Sequence, residues 1–592
     1  MKAIQVMFDT LKRNYLNAYE TSDVITPNFD RLKRKTVQFD NFFAGSLPCM
    51  PARRDLHTGR YNFLHRGWGP IEPFDDSMPE ILKQNGIYTH LVTDHKHYWR
   101  DGGATYHTRY SSYELIRGQE GDNWKAKVNK NMDIEGLENL PDFAKKRKVG
   151  SMAQDFVNRS YMKNEEDHTL YRTVEAGLEF LRENQDADQW FLQIECFDPH
   201  EPFFVQEEYL KMYGISKDDF NGWLLYSHDD FTPEKSEVVK GYYKALVTMC
   251  DAYLGKVLDF MDETNMWEDT MLIVNTDHGL LLGEHEWWGK NIMPVYNEVA
   301  HLPFFIWNPQ LGVQNESRDQ LAQNIDVPAT ILEFYDLDIP ENMLGKPLSS
   351  VIESEEEVHD AGLFGTFGSN INIVSGDYIY MRGPMPGKEE YLHEYTLMPM
   401  RMNRLFTSDE LKGAQLDNSF AFTKGISTLK MQITDWMAKS YQRFGNKLFN
   451  YKEDPNQENP LQDATKEFEM ITKLKQVMKE NEAPDSLYCY YGLDQINSIE
   501  DLIEEQKISD KKQEIVSENI KFSNHSAKEG YLAAVFSIKD KAKVELLKSD
   551  LQKTSELDAV SAQHLKNWIK EHIDKQEQPL IFYQLNLALR VD

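Results

Sequence analysis

The sequence predicts an α/β fold: a large mixed, mostly parallel sheet flanked by helices, then a smaller C-terminal α+β part carrying an antiparallel sheet. Three observations carry this expectation. Over roughly the first 310 residues, short apolar runs alternate with helical patterns, the sign of βαβ units. Four of those runs end directly in polar, chemically capable residues. Beyond about residue 360 the pattern changes to paired strands and turns.

Five runs read as buried strands: Ala3–Phe8, Thr89–Thr93, Trp190–Phe197, Thr270–Asn275 and Pro303–Trp307. They are apolar almost throughout, as strands covered on both faces are. Helical patterns fill the gaps, at Ser77–Gln84, Tyr171–Glu183 and Glu237–Glu263. Further on, Gly368–Met381 reads as two strands around a Ser375-Gly376-Asp377 turn, and Asp463–Glu480 as a helix. From about Ile496 the chain is charge-rich helix plus two apolar runs, Tyr531–Ile538 and Leu580–Leu587. The expected units are therefore residues 1–360, 361–495 and 496–592.

The strand ends matter more than the strands. Asp9-Thr10, Asp94-His95-Lys96-His97, Asp198-Pro199-His200 and Asp277-His278-Gly279 each follow one of the first four runs. In open α/β sheets, ligands bind beyond the carboxyl ends of the strands. Four such ends are expected to converge on one crevice.

Charge limits what enters it. Lys and Arg number 65 against 96 Asp and Glu, a formal net charge of −31. This excludes a general nucleic-acid binder and an anionic membrane surface as partner. No run of about 18 apolar residues is present, so no transmembrane helix is expected. The first residues, Met1–Phe8, form a strand-like run without signal-peptide features, which predicts a cytoplasmic chain unless a leader has been removed. Four cysteines in 592 residues do not make a disulfide scaffold. A homo-oligomer is compatible with all of this.

One cysteine stands apart. In Cys49-Met50-Pro51-Ala52-Arg53, Pro51 suits the first turn of a helix and Gly59 suits its end. Cys49 then lies at a helix N-terminus, where free N–H groups favour an anion. Arg53 lies one turn further on the same face.

Cys49-x-Pro51-x-Arg53 with Thr58-Gly59-Arg60 resembles the signature of the type I sulfatases, in the alkaline phosphatase superfamily. The resemblance continues in order along the chain. Asp9 matches the first metal-binding aspartate. Phe197-Asp198-Pro199-His200-Glu201-Pro202 matches the central histidine block. Asn275-Thr276-Asp277-His278-Gly279, with Gly283-Glu284-His285 and Gly289-Lys290, is similar to the second metal-binding block. Leu448–Leu461 resembles a C-terminal segment, so the likeness covers roughly residues 1–490.

This resemblance implies an alkaline phosphatase-like fold and hydrolysis of a sulfate ester. It implies that a maturation enzyme converts Cys49 to Cα-formylglycine (3-oxoalanine), the nucleophile. Asp9, Thr10, Cys49, Asp277 and His278 are the implied metal site. Ca²⁺ is favoured, with Mn²⁺ or Mg²⁺ as alternatives. Thr10 departs from the family, which often has a second aspartate there. Arg53, Lys290 and the imidazoles form the implied anion pocket, with His200 and Lys290 protonating the leaving oxygen. His285 is a weaker candidate. After the second strand the family often has Lys-x-His. Here His95-x-His97 keeps the spacing and Lys96-His97 the residue types. Neighbouring residues on a strand face opposite ways, so His97 is the favoured catalytic member and Lys96 stays open.

Two other readings fit the same residues. Thr10 and the Asp277-His278 pair suit a phosphonate monoester or phosphodiester hydrolase of the same superfamily. A degenerate homologue that only binds sulfated glycans is the third. Trp99, Trp287 and Trp288 lie beside the implied site in sequence and suit stacking on a sugar, so a small carbohydrate sulfate is the expected substrate. An acidic surface around one positive well favours a small anion over a long sulfated polymer.

Overall fold

A computed structural model describes residues 1–128, 152–228, 231–417, 419–433, 441, 444–507, 541–554 and 562–573. The apolar runs Tyr531–Ile538 and Leu580–Leu587 lie outside the described residues. Strands are numbered through the two main sheets in chain order: β1 (Lys2–Phe8), β2 (Val37–Phe39), β3 (Ser46–Leu47), β4 (Tyr88–Thr93), β5 (Ser112–Leu115), β6 (Trp190–Cys196), β7 (Thr270–Asn275), β8 (Phe304–Trp307) and β9 (Glu316–Arg318).

Eight of these form one sheet in the order β9-β2-β8-β7-β1-β6-β4-β5. Only β8 runs against the rest. The large mixed, mostly parallel sheet is therefore present. Alternation along β1 fixes its two faces. Ile4, Val6 and Phe8 join a core with Leu192 and Ile194. That core is covered by α1 (Pro27–Lys35) and by two later helices, Thr169–Asn184 and Pro233–Glu263. Ala3 and Met7 join the opposite core. There the covering helices are α2 (Cys49–Thr58), α3 (Met78–Gln84) and, beyond α4 (Thr169–Asn184) and α5 (Pro233–Glu263), α6 (Asp326–Phe334). Burial on both faces explains the unbroken apolar runs.

The second sheet holds β10 (Gly362–Thr366), β11 (Ile371–Ser375), β12 (Tyr378–Arg382) and β13 (Lys447–Asn450), in the order β13-β12-β11-β10-β3. Ser375 pairs with Tyr378 across the two-residue Gly376-Asp377 turn, with Gly376 at φ 53°. Helix α7 (Ala464–Glu480) packs on this sheet through Met470, Ile471 and Leu474. Its last strand, β3, comes from the first unit: Ser46 and Leu47 pair in parallel with Gly365 and Thr366. The segment leading into Cys49 thus belongs to the second sheet. At the other end, Leu502 joins the same core and Arg382 pairs with Glu505 at 2.6 Å. Residues just beyond 495 therefore pack with the second unit. No described helix is long and apolar enough to cross a membrane.

Candidate active site

Helix α2 begins at Cys49 and ends against Gly59, which adopts the left-handed conformation at φ 60°, a geometry that favours glycine. Asp55 on this helix locks the approach to Cys49. It accepts from Ser46 Oγ at 2.7 Å and from Asn62 N at 3.1 Å. Burial raises Asp55 to about 7, against these hydrogen bonds.

Beyond the C-terminal ends of β1 and β7, Asp9, Asp277 and His278 meet Cys49. One ligand-competent atom from each lies within 4.8 Å of all the others, and all four residues are buried. Cys49 Sγ is 3.2 Å from His278 Nε2 and 3.9 Å from Asp9 Oδ1. His278 Nδ1 bonds the Gly279 carbonyl at 2.9 Å. A carbonyl only accepts, so the proton sits on Nδ1 and Nε2 keeps its lone pair. Two carboxylates and a free imidazole nitrogen form a donor set that fits Ca²⁺ or Mn²⁺.

Arg53 is fully buried and binds three carboxylates. Its Nη1 donates to Asp277 at 2.6 Å, Nη2 to Asp9 at 2.8 Å and Nε to Glu195 at 2.8 Å. Burial opposes the guanidinium charge, but Glu195, Asp9 and Asp277 outweigh it and hold its pKa well above the ordinary value. Burial works against the Asp9 anion too, yet Arg53, with His200, the His95 hydrogen bond and Lys290, keeps it well below the usual range. Cys49 goes the other way. Burial, then the Asp9 charge, push its thiol well up, so the unmodified thiol is a poor nucleophile near neutral pH.

Thr10 sits in the left-handed region at φ 67°, an outlier for a β-branched residue. Three bonds hold it there. Its N–H donates to Asp277 at 3.0 Å, its hydroxyl donates to Asp9 at 2.6 Å and its carbonyl accepts from Tyr243 at 2.7 Å. Lys290 Nζ donates to the same hydroxyl at 2.9 Å. Thr10 therefore links Lys290 to Asp9, and its hydroxyl oxygen keeps a second lone pair that a metal could use. Lys290 is buried and lies 3.5 Å from Glu201. Burial opposes its charge, but Glu201 and then Cys49 raise its pKa. Gly289 before it has φ 111°, and a Cβ there would lie 2.4 Å from the Tyr226 ring.

The remaining candidates separate. His200 stacks on Phe197 at 4.1 Å and bonds the Glu201 carbonyl through Nδ1. It is held neutral by burial and then by Lys290. His95 reaches Asp9, Nε2 to Oδ2 3.4 Å, and burial with Arg53 lowers it to about 4. His97 lies one ring further out, 5.0 Å from His95 and 5.1 Å from Trp68. Lys96 turns away into a pair with Glu120 at 2.6 Å. The chain leaves β4 at Thr93 and enters a 3-10 turn at Lys96, so the strand alternation that favoured His97 no longer applies. His285 stacks on Tyr296 at 3.6 Å and faces Glu298, outside the cluster. Trp288 is packed in the core, as is Trp287, while Trp99 donates to Asp122 at 2.8 Å.

Two residues near the centre went unread in the sequence, Glu195 and Tyr226, while His95 and Glu201 were quoted in motifs without a role of their own. Glu195 had a signal. It is a charge inside the apolar strand Trp190–Cys196, and a buried charge needs a partner. Tyr226, which bonds Glu201, had none.

A cleft of about 910 Å³ opens beyond His97, between the catalytic unit and a three-stranded sheet (His393–Thr396, Gln415–Leu416 and Leu429–Gln432) with its loops, and touches the second sheet at Thr366. Trp68 and Phe367 line it, and its charges are balanced: Arg100, Arg401 and Arg404 against Glu394, Asp409 and Glu410. Thr366, also in its lining, pairs with Leu47 just ahead of Cys49. Gly102 N–H bonds the Met402 carbonyl at 2.9 Å, and a Cβ on Gly102 would lie 2.7 Å from the Arg401 carbonyl. The glycine lets the two units meet here.

A parallel-sheet fold with two carboxylates, an imidazole and a helix-terminal cysteine at its strand ends defines a hydrolase of the alkaline phosphatase type. The family profile described as "Sulfatase" matches residues 2–337, and the chain belongs to that family. It is 22% identical to an arylsulfatase of Clostridium perfringens over 69% of this chain and 91% of that protein. It is also 22% identical to an N-acetylglucosamine-6-O-sulfatase of Bacteroides thetaiotaomicron over 60% of this chain and 71% of that one. A solved structure of a protein bound to its substrate D-glucosamine-2-N,6-O-disulfate superposes with TM-score 0.54 at 15% identity. It covers 82% of this chain and 99% of its own, a likeness of fold.

Proposed function

We propose that this chain hydrolyses the sulfate ester of a small sulfated sugar, with the side chain derived from Cys49 as nucleophile. The observation that carries the reading is the meeting of Cys49, Asp9, Asp277 and His278 within 4.8 Å, bound together by Arg53. Asp9, Asp277 and His278 would hold a divalent ion, for which Ca²⁺ is the first choice. When bound, that ion supplies Lewis-acid stabilisation of negative charge. Formylglycine at position 49 would supply a nucleophilic oxygen where the thiol is held protonated. Arg53 fixes the carboxylates and keeps their charge from repelling the ester. Lys290 adds a buried positive charge beside Thr10 and Cys49. The Nδ1–H of His200 is engaged by a carbonyl, so its neutral Nε2 offers a lone pair toward the reacting group, and Lys290 is the side chain that holds a proton to give the leaving oxygen. His95 and, further out, His97 are neutral imidazoles suited to taking a proton when sulfate is released.

A carbohydrate substrate is supported by the sugar sulfatase among the relatives and by a cleft with Trp68 in its wall. A balanced cleft inside a protein of net charge −31 suits a small substrate over a long polyanion. The test is mass spectrometry of the Cys49 peptide together with turnover of sulfated monosaccharides. Expected are an aldehyde at position 49 and loss of turnover in Cys49→Ala. Full activity with an unmodified thiol would overturn the reading.

Thr10 and the Asp277-His278 pair favour a second reading, a phosphonate monoester hydrolase. Rates on aryl sulfate and on phenyl phosphonate, each with Ca²⁺ and with Mn²⁺, separate the two. The phosphonate reading requires the faster rate on phosphonate. A glycan-binding protein without activity would retain an unconverted Cys49 and cleave neither ester.

A further inference from the structure

Three arginines line the cleft, and they are not alike. Arg401 pairs with Glu394 at 2.6 Å and with Glu410 at 3.1 Å. Arg404 pairs with Glu410 at 2.7 Å. Arg100 has no hydrogen-bonding or ion-pair partner for its guanidinium among the described residues. Its nearest acids are already engaged: Glu120 by Lys96 at 2.6 Å, and Asp122 by Arg117 at 2.6 Å and Trp99 at 2.8 Å. Those two carboxylates act on Arg100 only through space. Burial opposes its charge and is the larger influence, so its pKa falls.

A half-buried, unpaired cation is costly. In a chain with 96 acidic residues, leaving it unpaired is not forced by any shortage of acids. Arg100 also stands next to the reaction pocket. It is close enough to act on the His97 ring, as His95 and His200 are. Arg100 and His97 line the same cleft, so Arg100 borders the space beside His97 that a substrate of the proposed reaction would enter.

We propose that Arg100 receives a second anionic group of the substrate, so that the sugar bound here carries a carboxylate or a second sulfate besides the ester that is cut. The planar guanidinium fork matches both groups. This rests on the sulfate-ester reading above and narrows its substrate class.

The test is calorimetric binding to the full-length Cys49→Ala protein. One pair of sugars differs by a second sulfate: N-acetylglucosamine 6-O-sulfate and glucosamine 2-N,6-O-disulfate. The other differs by a carboxylate: glucose 2-O-sulfate and glucuronic acid 2-O-sulfate. Within one pair, the doubly charged member should bind roughly ten- to hundredfold tighter. Arg100→Gln should bring that pair to within about twofold, and Arg100→Lys should keep part of the difference. The responding pair identifies the group. No preference in either pair, or a preference that survives Arg100→Gln, overturns the proposal. If Arg100→Gln does not fold, Arg100→Lys is read instead, and an undiminished preference in it overturns the proposal. A preference lost in the variant, without hydrolysis of any sulfate ester by the converted enzyme, would remove the sulfatase reading and leave this one standing.

Discussion

The reaction pocket and the cleft beside it solve the same problem differently. In the pocket every charge is buried and matched: Arg53 meets Asp9, Asp277 and Glu195. In the cleft the charges sit nearer solvent, two arginines are matched and Arg100 is not paired among the described residues. The pocket is built to hold a fixed arrangement, so its groups depend on one another. The cleft, on the proposal above, leaves one charge for the substrate. Damage in the pocket should therefore reach stability and kcat together, and damage in the cleft should fall on KM.

The largest effect is expected from Arg53→Met. Three buried carboxylates lose their common partner, which should cost about 3–5 kcal/mol of stability. kcat/KM should fall by roughly a hundred- to thousandfold. Urea unfolding of the metal-free protein and kinetics of the metal-loaded one measure the two parts. An unchanged urea midpoint would break the contrast.

Acid should weaken the walls of the pocket next. Burial holds His57 on α2 and His65 just beyond it neutral in the fold, each at about 3. The unfolded value is 6.5. Below that pH the unfolded chain takes up protons that the folded chain refuses, so stability falls as pH falls. Each histidine should cost about 2 kcal/mol between pH 7.5 and 5. His57→Gln should flatten the pH dependence of the unfolding free energy, and an unchanged slope would count against the assignment.

Cleft changes come last. Gly102→Ala forces a Cβ against the Arg401 carbonyl and should loosen the wall by about 1–3 kcal/mol, seen as a raised KM. Trp68→Ala should raise KM for a sugar sulfate by roughly fivefold through about 1 kcal/mol of lost stacking, with kcat kept. A fall in kcat from Trp68→Ala would erase the distinction between the two regions.

The same contrast governs what was legible in the sequence. The pocket was readable because its parts are consecutive residues at strand ends: Asp9-Thr10 after β1 and Asp277-His278 after β7 need only the strand to be found. Cys49 and Arg53 were readable because helical spacing places them on one face. His95 and His97 could not be ordered by strand alternation, because a 3-10 turn replaces the strand there. Arg53's third partner, Glu195, is displaced from any motif and betrays itself only as a charge in an apolar run. The cleft was unreadable. Trp68, Arg100, Phe367 and Arg401 come from distant loops, and no local pattern records their meeting.

The pairing of β3 with β10 also sets a schedule. Cys49 is 2% exposed once folded, and the strand before it is anchored on residues made roughly 300 positions later. At about 5–20 residues per second, synthesis leaves that anchor missing for roughly 15–60 s. During this interval the Cys49 segment has no sheet to join. On the reading proposed above, an enzyme that converts Cys49 meets an exposed segment before the second sheet closes and a buried one afterwards.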